Sequence, residues 1–161
     1  MKPIIHRYAI LSLVSTLATG FLTTVHHAYE LGFLALVQVL VAIVLPYLSM
    51  RWFKQTGSTV ALWLYGLLTA WLVFGFGMVD GLWNHTMKSL GSYMKTVVLS
   101  VHGPMSSGGA PAVDPAVAGN LIYQGTGILT FIASVFAAYY GYKFIQESRQ
   151  SRFADTKEIG G

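Results

Sequence analysis

Leu31-Gly-Phe-Leu-Ala-Leu-Val-Gln-Val-Leu-Val-Ala-Ile-Val-Leu-Pro-Tyr-Leu-Ser-Met50 runs for 20 residues without a charge. About 20 apolar residues rising 1.5 Å each cross a hydrocarbon core of roughly 30 Å. Within it, Val39 to Val44 is apolar at every position. A membrane β-strand would alternate apolar and polar residues, so the stretch reads as a transmembrane helix.

Three more stretches have the same character. Tyr8–Val25, Val60–Val79 and Leu121–Tyr142 hold 18, 20 and 22 residues without Asp, Glu, Lys or Arg. The 161-residue chain is 54% hydrophobic and 10% charged, far below the roughly 25% charged of soluble domains. The expected fold is an all-α membrane protein of one domain, with four antiparallel transmembrane helices. They are placed at about 8–28, 31–50, 59–79 and 120–144. Lys2 and Arg7 followed by an apolar run also resemble a signal peptide, but no small-residue cleavage site follows Val25. The first segment is therefore read as a retained helix.

Orientation follows from the cations. Lys2, Arg7, Arg51, Lys54, Lys143, Arg149, Arg152 and Lys157 are 8 of the 10 basic residues and fall on one side. The positive-inside rule makes that side cytoplasmic, with both termini on it. The net charge of +4 is thus explained by topology, and no nucleic-acid partner is expected. Expected partners are the bilayer and other membrane subunits or further copies of the chain. Cysteine is absent, which removes disulfides, thiolate metal sites and cysteine nucleophiles.

The connections are short except one. Tyr29 to Gly32 joins helices 1 and 2, Pro46 predicts a kink in helix 2, and Gly57-Ser58 suits a turn. Gly75 and Gly77 suit close helix packing. The outer segment 80–119 carries Trp83, Met87, Leu90, Met94, Val97, Val98 and Val101 at spacings of three and four. That predicts an amphipathic interfacial helix at about 83–101, with His85, Lys88, Ser92 and Lys95 on its polar face. The stretch from His102 through Pro104 to Pro111 reads as loop, and Asp114 as the N-cap of helix 4. The tail 146–161 reads as solvated and cytoplasmic.

Chemistry concentrates at one mouth of the bundle. Ser12, Ser15, Thr19, Thr23, His26 and Glu30 form a polar stripe on helix 1. The hydroxyls suit helix packing. His26, His27 and Glu30 are different, because i,i+3 and i,i+4 spacings bring imidazole and carboxylate to one face. Asp80, at the outer end of helix 3, is expected level with them, and His85 and His102 lie on the same side. Imidazole plus carboxylate suits Zn, Fe, Mn or Cu(II). The candidate ligands are His26, His27, Glu30, Asp80, His85 and His102. Haem b is a poorer fit, because the spans of helices 2, 3 and 4 hold no histidine.

Nucleotide-loop, zincin and serine-hydrolase motifs are absent. Asn84-His85-Thr86 fits the N-glycosylation pattern, but its expected helical setting close to helix 3 argues against use. The expected function is metal handling or redox chemistry at the membrane surface. The alternatives are a non-catalytic subunit of a larger membrane complex, and a small transporter or proton channel. The last has little support, since only Gln38 lies near the centre of a span.

Overall fold

The computed structural model describes residues 3–31, 34–88, 90–91 and 121–159, and the side chains of 3–6, 29–31, 35, 121–122 and 152–159 lie outside the description. Four helices are long and apolar enough to cross a membrane: Arg7–Ala28, Leu36–Thr56, Thr59–Met87 and Tyr123–Ser151. No strand occurs among the described residues.

α1 is Pro3–Leu31. α2 comprises Leu34–Val39, a π-helical stretch Leu40–Val44, and Leu45–Thr56. Pro46 explains the interruption. It has no N–H, and its ring would press on the Ala42 carbonyl four residues back. Widening to five-residue hydrogen-bonded rings relieves that clash, and the Leu45 N–H bonds to Leu40 O. Gly20 of α1 packs on this spot, where a Cβ would overlap the Ala42 carbonyl. α2 ends at Gly57 in the left-handed region (φ 66°), with its N–H on Phe53 O. Ser58 then caps α3 by accepting from the Ala61 N–H, so the expected turn is present.

α3 comprises Thr59–Trp71 and a π-helical continuation, Leu72–Met87. The helix therefore runs on through Asp80 instead of ending near 79. Trp83 to Met87, expected to open the interfacial helix, belong to it. The rest of that predicted segment, from Ser92 to Val101, lies outside the described residues, as do His102 and Asp114. α4 is Leu121–Ile159, so the segment expected as a solvated tail continues the helix. At 39 residues it is about 58 Å long, nearly twice the hydrocarbon thickness.

α1 packs along α3 and α4. Ser12 meets Tyr65 and His26 meets Asp80, while Tyr8 meets Tyr140 and His26 meets Thr126. One end of the bundle is an apolar core of Ala9, Met50, Phe53, Ala61, Leu62, Tyr65 and Phe144. Tyr65 is fully buried, and its hydroxyl bonds Ser12 Oγ at 2.6 Å and Thr16 Oγ1 at 3.1 Å. Thr16 also reaches Thr69. The four hydroxyl residues of the α1 stripe are all buried, but only Ser12 bonds another helix; Ser15 and Thr19 bond carbonyls of α1 itself, and Thr23 Oγ1 has no hydrogen-bond partner among the described residues. At the other end lies the histidine cluster.

Candidate metal centre

The site begins with a backbone irregularity. In an α-helix, Asp80 and His85 would point well apart, because five residues overshoot one turn by 140°. A π-helix bonds each residue to the fifth along the chain and has more residues per turn, so positions five apart come much closer to sharing a face. The Leu72–Met87 stretch is of this kind, and Asp80 and His85 share its inner face. His85 is 3% exposed, which corrects its expected place on a solvated polar face. The spacings of three and four that suggested that face assume α-helical pitch, which this segment does not have.

Glycine lets this face close on α4. A Cβ at Gly81 would come within 2.8 Å of Gly127 O, and one at Gly127 would overlap the His85 ring. Further down, Gly77 packs on Ser134 in the same way, whereas Gly75 faces open space and has no such role.

From α1, His26 and His27 complete the cluster. His26 is 2% exposed. Three imidazole Nε2 atoms surround the Asp80 carboxylate: His26 at 3.5 Å and His27 at 3.2 Å from Oδ2, and His85 at 3.6 Å from Oδ1. The ligand atoms of His26, Asp80 and His85 all lie within 4.8 Å of one another. Four atoms placed tetrahedrally at 2.0–2.2 Å from an ion stand about 3.4 Å apart. The nitrogen-to-carboxylate separations are close to that edge length, and His26, Asp80 and His85 form a group that could hold a metal ion.

The far sides of the rings decide how they present themselves. His85 Nδ1 lies 3.1 Å from Gln124 Oε1, an atom that only accepts, so Nδ1 carries the proton. The Thr126 hydroxyl gives its proton to Tyr123 O, so its oxygen accepts from His26 Nδ1 at 3.1 Å. When neutral, each ring then turns its Nε2 lone pair toward Asp80. Neither Nε2 has a hydrogen-bond partner among the described residues, and both are buried. Lone pairs and a carboxylate converging in a buried space need a cation between them. A proton on an imidazole supplies one such charge, and a metal ion another.

Around this centre, Asn84 Nδ2 donates to Asp80 Oδ1 at 3.1 Å, and Lys88 Nζ donates to Asn84 Oδ1 at 2.9 Å. The Tyr123 ring stacks on His26 at 4.1 Å. The His26 and His85 rings stand edge to face at 4.3 Å, which leaves no room for a porphyrin plane between them.

The chain matches no protein-family model, no curated protein and no solved structure. Any functional reading therefore stands on this geometry.

Of the expected ligands, the structure brings together His26, His27, Asp80 and His85. The Glu30 side chain and all of His102 lie outside the described residues. Tyr123, Gln124 and Thr126 were not foreseen. Neutral residues at the start of an apolar helix give no sign that they orient histidines. The Asp80-to-His85 spacing of five is the one available clue, and it is informative only at π-helical pitch.

Proposed function

We infer that this protein is a small integral membrane protein that binds one transition metal ion in a His/carboxylate centre at one mouth of its helical bundle. The observation that carries this reading is the orientation of His26 and His85. Each ring is pinned at Nδ1 by a residue of α4 and turns Nε2 toward Asp80. Histidines that ligate metals are oriented in this way by partners on the other ring nitrogen. The proposed ligands are His26, Asp80 and His85, with His27 as a fourth. Glu30 and His102 remain proposed contributors from neighbouring parts of the chain.

Nitrogen and oxygen ligands without sulfur suit Zn, Mn, Fe and Cu(II). The role proposed is metal handling or redox chemistry near the membrane surface. The helix pairings support an up-down-up-down bundle, and the basic residues support cytoplasmic termini with an outward-facing centre.

Elemental analysis of gently purified protein, followed by reconstitution with each of these ions after chelation, tests the reading. About one ion per chain is expected, and little or none in His85→Ala or Asp80→Ala. Failure of the wild type to retain or take up any of these ions would remove the proposal.

A further inference from the structure

One side of α4 changes chemistry along its length. Ala138, Tyr142, Ile145, Gln146 and Arg149 recur at spacings of three and four, so they share a face of the helix. Two cavities lie against that face, and Tyr142 and Ile145 are walls of both. The first, about 370 Å³, opens between α3 and α4, with Gly66, Ala70 and Phe74 across from Ala138. The second, about 420 Å³, has Gln146, Arg149 and Gln150 in its wall. Together they form one groove, apolar at one end and cationic at the other. Toward the histidine cluster, Gly81 and Gly127 bring the two helices together. Here Ile145 reaches Gly66 instead, where a Cβ would come within 3.0 Å of its Cδ1, so the floor is side chain and not a close backbone crossing.

We propose that this groove binds one anionic phospholipid, with an acyl chain between α3 and α4 and the phosphate at Arg149.

Length and charge select that occupant. Ala137 and Arg149 stand about 18 Å apart along the helix, against roughly 15 Å of hydrocarbon in one leaflet. Phe74 and Tyr142 are 70% and 63% exposed, so the groove is open from the side on which lipid lies. Arg149 is exposed and pairs with no carboxylate among the described residues. A guanidinium grips phosphate oxygens through two parallel N–H donors, and the Gln146 and Gln150 amides are able to donate beside it. Glu147 lies two residues from Arg149, about 200° round the helix, so this face offers no acid to the choline of a zwitterionic head. A packed helix would cover the apolar end but give Arg149 no counter-charge unless it brought an acid to the same level. Arg51, Lys54 and Lys143 lie at the same end of the bundle, the end that the positive-inside rule turns toward the anionic cytoplasmic leaflet. The supply of lipid rests on that proposed orientation. The groove itself depends on neither the orientation nor the metal centre.

Full-length protein in mild detergent is offered phosphatidylglycerol and phosphatidylcholine with the same acyl chains in equal amounts. Retained lipid is counted by native mass spectrometry. A single phosphatidylglycerol per chain is expected, in preference to phosphatidylcholine, and glycerol phosphate without acyl chains should not displace it. Arg149→Gln should lower that retention about fivefold, whereas Arg51→Gln, whose charge lies outside the groove, should leave it unchanged. Ala70→Trp fills the apolar end and keeps Arg149. Because Ala70 is exposed, the fold should stand while retention is lost. Equal retention in wild type and Arg149→Gln would overturn the proposal. Equal losses in Arg149→Gln and Arg51→Gln would do so too, by reducing the effect to a diffuse basic surface. So would retention indifferent to Ala70→Trp, or a stable dimer that buries Phe74 and Tyr142 in place of lipid. Metal content is measured separately, so failure here leaves the metal centre standing, and the reverse.

Discussion

His85 Nε2 stands 3.6 Å from the Oδ1 of Asp80, five residues earlier on the same helix. That relationship exists because α3 is π-helical there, and it joins an aromatic base to an acid that α-helical pitch would separate. The orienting partners should matter nearly as much as the ligands. Gln124→Leu and Thr126→Val should each lower metal affinity by about 10- to 100-fold. His85→Ala or Asp80→Ala should lower it by more. Competition against a chelator of known affinity measures the series. Wild-type affinity in both orienting variants would mean that the rings are held by something else.

Acid should empty the centre. Metal-bound imidazoles are deprotonated at Nε2, so protons compete with the ion. Free histidine titrates near ~6.5, and two or three histidines act together here, so affinity should fall steeply as pH drops through about 6. In His26→Ala the dependence should be shallower, because one fewer proton competes. Metal titrations at stepped pH give the slope. A flat profile between pH 7 and 5 would argue against histidine ligation.

Two glycines on neighbouring helices should answer differently to alanine. A Cβ at Gly127 overlaps the His85 ring, so Gly127→Ala should cost about 1–3 kcal/mol and displace that ligand. Gly75 meets nothing within 4 Å, and Gly75→Ala should be neutral or stabilise by about 0.5–1 kcal/mol through backbone entropy. Thermal unfolding in detergent, paired with metal titration, separates the two. Equal behaviour of both variants would contradict the close crossing of α3 and α4.

Tyr65→Phe probes the opposite end. Its hydroxyl is shared by Ser12 and Thr16 in a fully buried setting. Hydrogen bonds between membrane helices average about 0.6 kcal/mol and reach about 1.7. Removing this one should lower the unfolding midpoint while leaving metal affinity unchanged. A change in affinity would show that the two ends of the bundle communicate.

The four spans were legible from Tyr8–Val25, Leu31–Met50, Val60–Val79 and Leu121–Tyr142, because lipid leaves charge-free helices few alternatives. His26 and Asp80 were legible as partners, since both were expected near helix ends on one predicted side, although α3 in fact runs on past Asp80. His85 was legible as a candidate but not in its setting. Its neighbours Trp83, Met87 and Leu90 fit an α-helical face well enough to hide a π-helix. Gln124 and Thr126 left no trace, because orientation by a neutral side chain depends on a tertiary crossing. That crossing was set by Gly81 and Gly127, which as single residues read only as permissive. Gln38 was visible as an odd polar residue, but α2 spans Leu36–Thr56, so it lies near one end of the span and not near its centre.

The centre draws on helices far apart in the chain. His26 and His27 leave the ribosome long before Asp80 and His85, and Gln124 and Thr126 follow last. Until the fourth helix is inserted, His26 and His85 lack the partners that hold their Nδ1 atoms, and an early ion would find them less firmly oriented. Firm metal retention would therefore report completed biogenesis. A chain stopped before Leu121 could possess every described ligand and still release its ion.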